Sequence, residues 1–236
     1  MPHPPRNATS TARTLEIAPG VILDSRLALV HSTESWLAVA DLHFGYELTK
    51  RHQGGLFPLY GIETITGRLK ALIRDHRPST LVLVGDLIDG PGAHTQFADL
   101  VSAIASLDPP PEIVALQGNH DRGHVLDILP FRPEFETPTF RFHHGHEPHR
   151  LDARDDGRIQ VTGHLHPTHT FRDGAGLSLK LPVLVQEQSP DRGHRWVLPA
   201  FSPWAGGRNW QTYDLPRDAT LTACSPTRVF QIPASN

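Results

Sequence analysis

The chain has one cysteine, Cys224, among its 236 residues. That excludes an intramolecular disulfide and any cysteine-based zinc cluster, and it points to a reducing, cytoplasmic compartment. Cys224 sits in "LTACSPT", far in sequence from the histidine-rich segments, and reads as a packed thiol, not a nucleophile. No apolar run approaches the ~20 residues of a membrane span, so no membrane partner is expected. The opening "MPHPPRNATSTARTLEIAPG" lacks the apolar core of a secretory signal. Its Pro, Ser, Thr and Asn favour fraying; residues 1–14 are expected to be a flexible N-terminus and 15–236 a single domain. Basic excess is absent as well. A formal net charge of -3 gives no global footprint for long nucleic acid, although local patches can still serve one.

Histidine is what the chain has in abundance, 16 in all. In "IQVTGHLHPTH", Ile159 to His169, three fall within six positions after a short apolar run. Two histidines two apart on a strand point the same way, which suits chelation, but His-rich hairpin ends are common on surfaces. That pair alone decides nothing.

The pattern along the chain is more informative. "LEIAPGVILD", "RLALV" and "SWLAVA" read as short strands around turns. "GIETITGRLKALIRDHRP" has apolar residues at Ile62, Ile65, Leu69, Leu72 and Ile73, a helical spacing stopped by Pro78. "STLVLVG" is a buried strand, "HTQFADLVSAIASLDPPP" returns to helical period, and "EIVALQG" is strand again. The first half is therefore α/β with parallel central strands. The second half holds short strands between turns: "TFRFHHG", "RIQVTGH", "THTFRD", "PVLVQEQ", "HRWVLPAF" and "TRVFQI". One domain with two sheets is the simplest arrangement.

Five of these strands are each followed by Asp, His or Asn: "WLAVA" by "DLHFG", "LVLVG" by "DLIDG", "IVALQG" by "NHDRG", "FRFH" by "HGHEPH" and "IQVTG" by "HLHPTH". Open α/β sheets place ligands at that edge. Asp41 and His43 offer a carboxylate and an imidazole to one ion, and Asp86 has two oxygens with which to bridge to a second. Asn119 offers an amide oxygen, and His144, His164 and His166 offer imidazoles. A mixed N/O set without sulfur suits Mn, Fe, Zn, Co or Ni better than Mg or Ca. Two carboxylates against two divalent ions leave roughly +2, a site for an anion. Paired ions of this kind stabilise both the attacking and the phosphoryl oxygens of an in-line displacement.

The ordered set Asp41-x-His43, Gly85-Asp86-x-x-Asp89, Gly118-Asn119-His120-Asp121, His144-Gly145-His146 and Gly163-His164-x-His166 resembles the calcineurin-like metallophosphoesterase superfamily. The resemblance spans about residues 36 to 170. It implies a four-layer αββα sandwich of two mixed sheets flanked by helices, and two divalent metal ions, Mn first. Asp41, His43 and His166 would hold the first ion, Asp86 would bridge, and Asn119, His144 and His164 would hold the second. His120 would be the catalytic proton donor to the phosphate or leaving oxygen, and Asp89 would support it or the metal shell. His144 is favoured over the neighbouring His143 and His146 because it directly precedes Gly145. "ADLHFGYE", "GLFP" and "LPAFSPWAGG" are similar to the ligase-associated, PdeM-type phosphoesterases and their archaeal relatives. That branch implies a Mn-dependent phosphodiesterase or nuclease of DNA repair, linked to a DNA ligase or helicase. Monoesterase activity on small phosphates and a non-catalytic scaffold are the rival readings.

Other residues carry alternatives. Arg122 either binds the scissile phosphate or is solvated. Asp89 also suits a turn cap. Tyr46 and Glu47 stand at the cleft edge or on an exposed helix surface. Arg51, His52, His149 and Arg150 are loop residues with a possible backbone contact to nucleic acid. Trp204 and Trp210 are expected to pack a C-terminal loop against the sheet, with base stacking as the alternative.

Overall fold

The computed structural model describes residues 13–121, 123, 127–147, 157–189, 193–210 and 219–233. Seven strands form the first sheet, in sequence order across it: β1 (Thr14–Ala18), β2 (Val21–Asp24), β3 (Ala28–His31), β4 (Trp36–Ala40), β5 (Thr80–Val84), β6 (Glu112–Leu116) and β7 (Phe131–Arg132). β1 to β4 are an antiparallel meander, whereas β4 to β7 run parallel. The change of direction follows from the connections: a parallel neighbour needs a crossover, and helices supply it. α1 (Tyr46–His52) and α2 (Gly61–His76) join β4 to β5, and α3 (His94–Ala105) joins β5 to β6. α2 buries Ile65, Leu69, Leu72 and Ile73, the stripe anticipated from the sequence, and ends where Arg77 turns left-handed at φ 46° before Pro78. α3 buries Phe97, Leu100 and Ile104.

The second sheet is built from β8 (Phe135–Glu136), β9 (Phe140–Phe142), β10 (Ile159–Thr162), β11 (Pro167–Arg172), β12 (Ser178–Ser189), β13 (Gly193–Val197) and β14 (Arg208–Asn209) in the order β14-β11-β12-β13-β10-β9-β8. β15 (Thr220–Cys224) also pairs with β12, and β16 (Val229–Gln231) pairs with β15. β10 lies parallel to both β9 and β13, and β12 runs antiparallel to its partners, so this sheet is mixed too.

The two sheets pack face to face on a shared apolar layer. Trp36 stands edge-on to Phe140 and Phe142 across it, each pair of ring centroids 5.0 Å apart. Since side chains alternate along a strand, Trp36, Ala38 and Ala40 face the second sheet while Leu37 and Val39 face the helices. In the second sheet, Leu184, Trp196 and Leu198 join that common core, and the alternate residues Val183, Val185 and Val197 form a separate outer cluster around buried Trp210. The architecture is the expected sandwich of two mixed sheets with flanking helices. Among the described residues every α-helix lies between β4 and β6.

At the corner after β2, Asp24 is fully buried and accepts from Arg26 at 2.6 Å and faces His76 Nε2 at 2.8 Å, tying the meander to the end of α2. Burial pushes the Asp24 carboxyl up, but the hydrogen bonds from Arg26 and His76 outweigh it and hold the group well below the usual carboxylate range. A depressed folded-state pKa contributes stability that is present above the unfolded value near 4 and is lost as pH falls through the folded value. Asp24→Asn is therefore expected to cost about 3 kcal/mol in urea unfolding at pH 7. The cost should shrink as the pH is lowered below 4; an equal loss at all pH values would contradict this ion cluster.

Candidate metal centre

The side chains singled out after five strands do not lie on the strands. β4 ends at Ala40, β5 at Val84 and β10 at Thr162, and the chain turns sharply just beyond each end. Asp41, His43, Asp86, His164 and His166 all have positive φ, at 56°, 42°, 49°, 70° and 45°. They make up five of the eight described non-glycine residues in that region. Left-handed backbone costs an L-residue about 1–2 kcal/mol, so the surrounding structure must hold these turns. The idea that two histidines two apart share a face because they sit on a strand is thus corrected here. His164 and His166 occupy a turn, and their backbone sends them to different groups.

Hydrogen bonds between the loops supply the restraint. His43 N–H donates to the Asp86 carbonyl at 2.9 Å and Phe44 N–H to the Leu87 carbonyl at 2.9 Å, joining the first two motif loops. Both oxygens of Asp41, itself fully buried, accept from the His164 N–H at 3.0 Å, joining the first loop to the fifth. Ser202 N–H donates to the Asp41 carbonyl at 3.1 Å from the opposite side. Asp121, 1% exposed, accepts from Gly118 and Leu87 N–H at 2.9 and 2.8 Å and so clamps the third loop on the second. Burial pushes its carboxyl up despite those bonds. Gly118 is required by close approach: a Cβ there would stand 2.2 Å from both the backbone nitrogen and Oδ1 of Asp86.

The result is two groups of converging donor atoms. Asp41, His43, Asp86 and His166 form one, and Asp86, His144 and His164 form the other; within each, the candidate ligand atoms all lie within 4.8 Å of one another. In the first, His166 Nε2 is 3.3 Å from His43 Nε2 and 3.3 Å from Asp41 Oδ1. In the second, His144 Nε2 is 3.2 Å from Asp86 Oδ2 and 3.3 Å from Asn119 Oδ1. N and O ligands at about 2.1 Å from one ion stand roughly 3–3.5 Å apart, so these spacings fit metal coordination. The tautomer fits as well. His144 Nδ1–H donates to the Val84 carbonyl at 3.1 Å, which makes Nε2 the nitrogen that faces Asp86 and Asn119 and the one available to an ion.

The charges answer to one another. Burial raises the Asp86 carboxyl, yet the hydrogen bond and charge of His144 and the N–H of His120 hold it well below the usual carboxylate range. Burial lowers His144 and His166, but Asp86 for the one and Asp41 for the other turn the net shift upward. His43 and His164 go down, chiefly through burial.

His120 is exposed, with its ring edge-on to His43 at a centroid separation of 5.2 Å, and its N–H donates to Asp86 Oδ1 at 2.9 Å. The Asp89 carboxylate lies 3.9 Å from His43 Nδ1, next to the first group. His143 is buried on the other side of its loop, facing Gln160 Oε1 at 3.3 Å, while the His146 ring stands 5.3 Å from that of His144. Arg122, His149 and Arg150 lie outside the described residues, as do residues 1–12 of the N-terminus.

Glu47 overturns both expectations for it, since it is neither at the cleft edge nor on a helix surface. It is completely buried and accepts from Ile62 N–H at 2.8 Å and Trp204 Nε1–H at 2.9 Å. Trp204 in turn packs against Tyr46, Phe57 and Tyr60. Trp210 packs in the outer cluster of the second sheet as expected, and Cys224 is a buried thiol whose pKa burial drives up.

A sandwich of two mixed sheets whose strand ends gather two Asp/His groups around a shared carboxylate defines the class of metal-dependent phosphoesterases. Residues 36–217 match the family model described as calcineurin-like phosphoesterase, and the chain belongs to that family, as a hydrolase of phosphoester bonds. Its fold is similar to that of a Pseudomonas putida protein described as nuclease MPE, with TM-score 0.67 and 21% identity over 93% of this chain and 98% of that one. YfcE, a phosphoesterase from E. coli, has TM-score 0.46 and 18% identity over 85% of this chain and 99% of its own. No curated protein matches the sequence.

Gly118→Ala is expected to displace Asp86, common to both groups, and to weaken Mn binding by about 10–100-fold in isothermal titration while leaving the fold intact by circular dichroism. Unchanged affinity would show that Asp86 tolerates the intrusion.

Proposed function

We propose that the chain hydrolyses phosphodiester bonds at a dinuclear metal centre, with DNA as the substrate class and Mn as the preferred ion. The observation that carries this reading is Asp86: one carboxylate shared by two donor groups, with one oxygen toward His144 and the other fixed by the His120 N–H. Asp41, His43 and His166 would hold one ion, Asn119, His144 and His164 the other, and Asp86 both. Bound there, the ions supply an activated water and neutralise the phosphoryl oxygens. The mixed N/O donor set without sulfur favours Mn or its first-row neighbours Fe, Co, Ni and Zn over Mg or Ca.

The side chains divide the remaining work. His120, exposed at the rim beside His43, donates a proton to the scissile phosphate or to the departing alkoxide. Asp89 places its charge 3.9 Å from His43 Nδ1, beyond hydrogen-bond reach, and the Val84 carbonyl fixes the imidazole of His144. An exposed proton donor suits a long substrate that lies across the site. The nuclease name of a protein sharing the fold along almost its whole length supports a nucleic-acid strand over a small phosphate. Work in the cytoplasm beside a DNA ligase or helicase, in DNA repair, belongs to the same proposal.

Metal-stripped protein reconstituted with Mn is expected to cleave bis-p-nitrophenyl phosphate and a single-stranded DNA oligonucleotide. Cleavage of p-nitrophenyl phosphate alone would move the substrate to monoesters, and silence with every first-row ion would contradict the proposal. His120→Ala should bind the same amount of Mn and lose about 10²–10⁴-fold in turnover. Asp86→Ala should lose Mn along with activity. Full activity in either variant would sink the assignment.

A further inference from the structure

Beside the first donor group lies a pocket of about 240 Å³ that shares His166 with it. Its other walls include Arg68 from α2, Lys180 from β12, Pro182, Pro203 and Gly207, and no acidic side chain lines it. Arg68 is half-buried; its Nη1 donates to the Phe201 carbonyl at 2.9 Å and its guanidinium lies over the Phe201 ring, 5.1 Å from the centroid. Lys180 Nζ donates to the carbonyls of Gly206 and of Gly207, the latter at 2.7 Å. Neither cation forms an ion pair among the described residues. A guanidinium has five N–H donors, so most of its capacity is unspent. Burial holds the Arg68 pKa below the usual arginine value, the mark of a cation drawn out of water without a compensating carboxylate. Such a group is costly in the folded protein and is relieved by an anion brought to it.

We propose that Arg68 and Lys180 form a subsite for a second phosphate, the phosphodiester adjacent to the scissile one in a nucleic-acid strand. The inference rests on the phosphodiesterase reading above. The pocket is smaller than the ~300 Å³ at which whole-ligand sites begin, a size for one group of a larger substrate and not for a separate small molecule. Its position next to His166 makes that group one covalently linked to the phosphate at the metal centre. The fork of Arg68 and the point charge of Lys180 are phosphate-binding chemistry. The proline and alanine walls offer a sugar an apolar surface, and the Thr168 and Ser202 hydroxyls line the same pocket.

The test uses Arg68→Gln/Lys180→Gln, which removes both charges and leaves a shorter polar side chain at each position. Binding of a fluorescent single-stranded oligonucleotide to the full chain is measured by anisotropy across a salt series. The slope of log affinity against log salt should fall by about 0.7, the loss of one phosphate contact on a single strand. With Mn present, oligonucleotides carrying one neutral methylphosphonate on either side of the cleaved bond should be cut at least tenfold more slowly by the wild type. The double variant should lose that sensitivity, and its ratio of DNA to bis-p-nitrophenyl phosphate turnover should drop at least tenfold. An unchanged salt slope, or methylphosphonate sensitivity that survives in the variant, overturns the subsite. If bis-p-nitrophenyl phosphate and DNA both resist the wild type, the phosphodiesterase reading fails instead, and the salt slope still decides whether the pocket holds a strand phosphate.

Discussion

Asp86 meets both halves of the molecule: its Oδ1 accepts from the third motif loop of the first sheet, and its Oδ2 faces His144 from the second sheet at 3.2 Å. For the carboxylate to do both, β5 must end in a left-handed turn and Gly118 must carry no side chain. His144 must also be held by the carbonyl of Val84, the residue two before Asp86. The chemistry and the packing of the sandwich therefore share one constraint. Moving either sheet relative to the other would separate the carboxylate from its histidine, and the aromatic layer of Trp36, Phe140 and Phe142 is what resists that motion.

The strained turns show how the fold stabilises the site. A left-handed residue at a strand end is unfavourable by itself, and hydrogen bonds to other loops offset it. Asp41 is bound to the His164 N–H, His43 to the Asp86 carbonyl and the second loop to the Asp121 carboxylate. A network of this kind fixes ligand positions before any ion arrives. Preorganisation of that sort is what a metal site needs to select geometry and not only charge. The same logic extends to imidazole orientation, where the Val84 carbonyl on the far nitrogen of His144 leaves its Nε2 directed inward.

Much of this was legible in the sequence. The strand and helix pattern through β6 follows from apolar periodicity, and the five strand-end motifs fall together because parallel strands deliver their C-terminal ends to one edge. The separation of His164 from His166 was legible only through the family resemblance; strand geometry alone puts both on one ion, and the left-handed turn that divides them has no signature in residue type. α1 is short and follows a motif, so its seven residues carry no usable period. Glu47 reads as a surface residue because carboxylates are rarely buried. What buries it is Trp204, 157 positions away, a contact that no local pattern announces. Asp121 was seen as part of a motif, but its work as a clamp on Leu87 and Gly118 appears only once the loops are in place. Arg68 lies within a plain amphipathic helix, and its significance comes from the pocket that β12 and the Gly206–Gly207 loop complete around it.

The most direct test of the central claim is anomalous diffraction at the Mn edge from crystals of the protein soaked in Mn. Two peaks are expected, one among Asp41, His43 and His166 and one among Asn119, His144 and His164, with Asp86 lying between them. A single peak, or one that leaves Asp86 uncoordinated, would contradict a dinuclear centre organised on that carboxylate.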